Sequence, residues 1–74
     1  MDTEDFKLKS YGWQEIALLY NPDVSPMNAV KRLSSWVARN PRLEKDLKDA
    51  GWSKGARFLT PLQVKALILH LGEP

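Results

Sequence analysis

Apolar positions along the 74-residue chain change their spacing several times, and each change marks an element. Phe6-Lys7-Leu8-Lys9-Ser10-Tyr11 alternates apolar with polar, the period-two pattern of a strand buried on one face. After Gly12 the spacing becomes helical. Trp13, Ile16, Ala17 and Tyr20 share a side, and Glu15 falls in the first turn, where the positive end of the helix dipole favours an acid. Asn21-Pro22-Asp23 ends this short helix, because proline lacks the N–H that the ladder needs and Asn and Asp favour turns.

Ser25-Pro26 opens the next helix, with serine as N-cap and proline at the first helical position, where a missing N–H costs nothing. It runs to about Arg39. At 100° per residue, Ala29, Val30, Leu33, Trp36 and Val37 form its apolar face, while Asn28, Lys31, Arg32, Ser35 and Arg39 gather opposite. Asn40-Pro41 repeats the device and predicts a third helix through Ala50, with Leu43 and Leu47 inward. Gly51 suits the left-handed residue after a helix, and Trp52 next to it suits the apolar contact of a Schellman stop against Leu47. Lys54 and Gly55 read as loop, and Ala56-Arg57-Phe58-Leu59 as a short strand able to pair with Lys7 to Ser10. Thr60-Pro61-Leu62-Gln63 is a capping box, opening a last helix on Val64, Leu67, Ile68 and Leu71 that stops at Gly72. Residues 1–5 and 73–74 are expected to fray. The predicted architecture is a mainly α, single four-helix domain with a helix-turn-helix-like core and a minor two-stranded sheet. Trp13, Trp36, Trp52, Phe58 and Ile68 are expected in its core.

Hydrophobic residues make up 43% and charged residues 27%, the composition of a folded globular chain. The absence of cysteine excludes disulfides and thiolate metal sites and fits a reducing, cytoplasmic setting. No apolar run approaches the roughly 20 residues that span a bilayer, so no membrane role is expected. The net charge of +2 says little, but its distribution says more. Lys31, Arg32, Arg39 and Arg42 occupy a stretch without acids between Asp23 and Glu44, and Lys54, Arg57 and Lys65 occupy another between Ala50 and Gly72. Such segregation gives a small domain a cationic surface.

Catalytic chemistry finds few residues to use. His70 is the only histidine, its own helix offers no acid before Glu73, and it reads as a solvated or core-edge side chain without metal or cofactor. Gly51-Trp52-Ser53-Lys54-Gly55 lacks the spacing and the following helix of a phosphate loop and reads as a helix stop and turn. Asp46 and Asp49, interleaved with Lys45 and Lys48, read as surface ion pairs. The expectation is a non-enzyme. Two readings stay open. In the leading one, a helix, a turn and a second helix present Asn28, Lys31, Arg32, Ser35 and Arg39 to nucleic acid, with Lys54 and Arg57 adding phosphate contacts. In the other, the chain is a protein-interaction module, monomeric or homodimeric, acting through an apolar patch that includes Trp13, Trp52 or Leu69.

An ordered set of residues also carries a resemblance: Ser10-Tyr11-Gly12; Glu15, Ala17 and Tyr20 before Pro22-Asp23; Leu33 and Trp36; Asn40-Pro41 with Leu43 and Leu47; Phe58, Thr60-Pro61 and Gln63-Val64; and Leu71-Gly72-Glu73-Pro74. In these the chain resembles a family of small proteins from gut Bacteroides-type bacteria grouped as a domain of unknown function. The resemblance implies a short cytoplasmic protein and supplies no binding or catalytic residues. More loosely, Glu15-Ile16-Ala17, the turn, and Phe58 to Val64 are similar to small excisionase-like and phage helix-turn-helix domains. The chain departs from them in carrying Asn21-Pro22-Asp23 where many place a glycine, which sets an acid beside the expected DNA face.

Overall fold

Strand β1 (Tyr11–Gly12) leads into helices α1 (Trp13–Tyr20), α2 (Pro26–Arg39) and α3 (Pro41–Asp49), followed by β2 (Phe58–Leu59) and α4 (Pro61–Leu71). This is a computed structural model, and it describes residues 8–74. Three helices start on a capping side chain followed by proline. Ser25 Oγ accepts the Asn28 N–H at 3.3 Å, Asn40 Oδ1 the Leu43 N–H at 3.2 Å, and Thr60 Oγ1 the Gln63 N–H at 3.3 Å. Each bond satisfies one of the N–H groups that a helix start leaves without a partner. At α1 the relation is reversed, and Glu15 Oε1 accepts the Gly12 N–H at 3.1 Å.

The stop of α3 has the expected form. Gly51 takes φ of 98°, and the Trp52 N–H reaches Leu47 O at 2.9 Å while the Gly51 N–H reaches Lys48 O at 3.0 Å, the paired bonds of a Schellman motif. That turn sends Trp52 back into the core, where it stacks on Trp13 with centroids 5.8 Å apart.

The sheet is smaller than the alternation predicts, and it is shifted. Tyr11 pairs with Leu59 and Gly12 with Phe58 in antiparallel register, and Trp13 N–H donates to Arg57 O at 2.7 Å just beyond. Leu8 to Ser10 are exposed and outside the strand, while Phe6 and Lys7 lie outside the described residues. The physical reason is burial: Tyr11 and Leu59 are the positions that reach the core, so pairing begins there and Gly12 continues it in extended conformation. Phe58, expected inside, alternates to the opposite face of its strand and is 73% exposed.

The core gathers Ile16 and Ala17 from α1, Ala29, Leu33 and Val37 from α2, Leu43 and Leu47 from α3, and Val64 and Leu67 from α4 around Trp52 and Leu59. Trp13, Trp36 and Ile68 pack at its edge. Helices α1 and α2 share the most extensive contact of any two elements. Between them Asn21 is buried, its Nδ2 donating to Ala17 O at 3.2 Å, so the turn residue also closes the end of α1. Gln63 does comparable work at α4. Its Oε1 accepts the Thr60 N–H at 3.1 Å, completing the capping box, and its Nε2 donates to Ala50 O at 3.0 Å, tying α4 to the end of α3. The Cα radius of gyration, 11.5 Å, is that of a compact chain of this length.

Candidate nucleic-acid interface

Helix α2 has its apolar side fixed by Ala29, Leu33 and Val37, so the opposite side has no choice but to face water. Asn28, Lys31 and Arg39 are exposed there, and Ser35 is half-buried. The first turn of α2 holds no acid, and the last turn holds Arg39. Four of the five sequence-expected residues of this helix therefore stand as a row of donors with no carboxylate on the same helix.

Arg32 is exposed as well, as the periodicity predicts, and it makes one further contact. Its Nη1 donates to Asn21 Oδ1 at 3.4 Å, so the guanidinium lies against the turn and helps satisfy a buried amide. A guanidinium carries five N–H donors, and this contact uses one. The sequence offered no sign of it, because Asn21 reads equally well as a plain turn former.

Lys54 and Arg57 come from the segment between α3 and β2, and both are exposed. An open groove of about 550 Å³ runs between this segment and α2, with Arg57, Phe58, Gln14 and Trp13 on one side and Val30 and Ser34 on the other. Lys54 borders a smaller recess of about 70 Å³ with Ser34, Val37 and Ala38 of α2, Trp52, and the carboxylate-bearing Glu44 of α3. Ser34 thus marks the flank of α2 along which both loop cations lie. Glu15 also edges the groove, with one carboxylate oxygen occupied by the Gly12 N–H. Sequence reasoning missed Gln14, Ser34 and Phe58 as lining residues. For Phe58 the signal was present, since two successive strand residues cannot both face the core.

His70 is corrected in its surroundings. Its Nε2 lies 2.7 Å from Asp46 Oδ2, a carboxylate brought in from α3. Of the two acids expected in lysine pairs, Asp49 takes Lys45 at 3.1 Å as expected, whereas Lys48 pairs with Glu44 at 3.4 Å because Asp46 is taken by His70. Among the described residues, no group of three or more His, Cys, Asp or Glu is placed to hold a metal ion. Among them, also, no helix is long and apolar enough to cross a membrane. At the far end of α1, the Tyr20 hydroxyl donates to Gly72 O and the ring meets Trp36 edge-on at 6.1 Å. Burial, followed by the charge of Glu73, pushes that hydroxyl up to about 12.

Of Trp13, Trp52 and Leu69, the alternatives named for an apolar patch, only Leu69 is fully exposed. Trp52 is buried against Trp13, whereas Leu69 stands exposed on α4. The indole Nε1 of Trp52 is buried without a hydrogen-bond partner among the described residues.

Residues 7–74 match the family described as "Domain of unknown function (DUF4248)". No curated protein and no solved structure matches the chain.

Proposed function

The chain belongs to the DUF4248 family, whose function is unknown, and from the exposed side of α2 we propose that it is a non-catalytic nucleic-acid-binding module, with duplex DNA as the ligand. One observation carries the reading: Asn28, Lys31 and Arg39 form an exposed, acid-free helix face, flanked by the exposed Lys54 and Arg57. Long cationic donors suit phosphates and guanine, and Asn28 suits adenine. The arrangement of α1, turn and α2 supports it, since a short helix braced against a longer one is how a recognition helix is held in the major groove. A kinship with excisionase-like helix-turn-helix domains, read from Glu15-Ile16-Ala17, the turn and Phe58 to Val64, is part of the same proposal. A Bacteroides-type source and a cytoplasmic setting belong to the same reading.

The test is an amide-shift NMR titration of the labelled chain with a short random-sequence duplex at low salt. Shifts concentrated on Asn28, Lys31, Arg32, Ser35 and Arg39, with smaller ones at Lys54 and Arg57, are expected. Binding should weaken with salt at a log–log slope of roughly −4 to −5 if Lys31, Arg39, Lys54 and Arg57 meet phosphates together with Arg32. Silence at these residues, or a slope near zero, removes the reading. A second reading, a protein-interaction module, is favoured by a separate observation: Leu62 and Leu69 are exposed together on α4.

A further inference from the structure

We propose that the outer face of α4 is a self-association surface, on which two copies of this chain meet with their α4 helices parallel. The inference is independent of nucleic-acid binding, and it gives the protein-interaction reading one specific partner.

Helix α4 is apolar twice over. Val64 and Leu67 are buried in the core, yet Leu62 and Leu69 on the outer side are 62% and 73% exposed. Residues seven apart on a helix lie within about 20° of each other, so these two leucines form one line, with the small and mostly covered Ala66 beside it. The line borders a shallow recess of about 320 Å³, completed by Lys65 and by Asp46, Asp49 and Ala50 of α3. A helix with a second apolar face has a second surface to cover.

Charge selects the occupant and its direction. Gln63 and His70, which bond to Ala50 and Asp46, place α3 on one side of the leucine line. Lys65 lies on the other side by helix geometry, and it has no ion-pair partner among the described residues. A two-fold axis running along α4 brings Lys65 of each copy to the α3 flank of the other, where Asp46, held by His70, and Asp49, paired with the exposed Lys45, keep their second carboxylate oxygens open to a further cation, and symmetry makes the contact twice. A two-fold axis across the helices instead sets Lys65 against Lys65 and acids against acids. In heptad terms Leu62 and Leu69 take position d, Ala66 takes a, Lys65 takes g, and His70 with its attached Asp46 takes e. Leucine at d suits a parallel pair, and contacts from g to the partner's e position are where charges set orientation.

The chain has no cysteine, so single cysteines can report the register directly. Leu62→Cys and Leu69→Cys are each placed opposite their own copies in the parallel pair. Under mild oxidation each full-length variant should form disulfide-linked dimers roughly tenfold faster than Met27→Cys, an equally exposed control on α2, because association raises the local thiol concentration. In sedimentation velocity without nucleic acid, Lys65→Glu and Asp49→Lys should each shift to monomer at a concentration where the unaltered chain is dimeric. A one-to-one mixture of the two should recover the dimer, since both cross-copy charge contacts are restored in the mixed pair. A chain that sediments as monomer at every concentration overturns the proposal. So do oxidation rates equal to the control, a mixture of Leu62→Cys and Leu69→Cys chains that links one variant to the other in preference to its own kind, or a charge-swap mixture that stays monomeric. The duplex titration is a separate readout, so failure here leaves α2 untouched, and failure there leaves α4 untouched.

Discussion

Helices α2 and α4 bury similar inner faces and present opposite outer ones. Leu33 and Val37 anchor α2 as Val64 and Leu67 anchor α4, but α2 shows water Asn28, Lys31 and Arg39, whereas α4 shows it Leu62 and Leu69. A hydrated cationic face gains by releasing counterions from a polyanion, while an exposed leucine pair gains by being covered. The inner faces explain why the chain folds, and the outer faces carry the two separate kinds of recognition proposed above.

The largest effects should appear where the two helices are alike. Leu33→Ala and Leu67→Ala each remove a fully buried side chain and should cost about 2–5 kcal/mol in urea unfolding. A domain of 74 residues has on the order of 4–11 kcal/mol to lose, so either variant should lie near its unfolding limit. A urea midpoint left unchanged by either substitution would show that its helix is peripheral to the core. The helix starts separate next. Gln63→Ala breaks both the capping box and the bond to Ala50 O and should cost about 1–3 kcal/mol, against about 1 kcal/mol for Ser25→Ala at α2.

Tyr20→Phe removes the bond to Gly72 O and should cost about 1 kcal/mol at neutral pH. It should also change the alkaline behaviour. The folded-state hydroxyl, raised to about 12 from an ordinary 10, stays neutral where the unfolded one ionises. Its contribution is therefore fully present below pH 10 and is lost as pH rises from 10 through 12. Melting temperatures across that window should fall more steeply for the unaltered chain than for Tyr20→Phe, and parallel curves would remove this role.

The smallest stability changes test the outer faces. Arg32→Glu should cost about 1 kcal/mol, because the guanidinium no longer serves Asn21. Arg39→Glu and Leu69→Glu should each stay within about 0.5 kcal/mol by thermal melting. Arg39→Glu should abolish the duplex-induced amide shifts and leave sedimentation alone. Leu69→Glu should do the converse, and a variant that moved both readouts would merge the two surfaces into one.

How far the sequence carried can be read from single residues. Ser25, Asn40 and Thr60, each before a proline, marked three helix starts correctly, and Gly51 with Trp52 marked the stop of α3. These are local bonds spanning three to five residues, so the chain encodes them wherever it is placed. The solvent exposure of Asn28, Lys31 and Arg39 was likewise legible, because the periodicity of α2 decides which side is left over. Alternation misled at the strands, since Leu8 and Phe58 repeat at the right spacing but only Tyr11 and Leu59 find a core to enter.

What the sequence alone determined is the set of helices, the starting caps of α2, α3 and α4 and the inward stripe of each helix, all consequences of near-neighbour bonding and a fixed angular period. What only the tertiary structure decided is who meets whom across the chain: Arg32 on Asn21, His70 on Asp46, Gln63 on Ala50, Trp52 on Trp13, and the exposure of Leu62 and Leu69. Such partners are 11 to 39 residues apart or left uncovered, and no local period encodes them. They follow from how four apolar stripes share one small core, which settles the outer face of α4 only after the inner one has been filled.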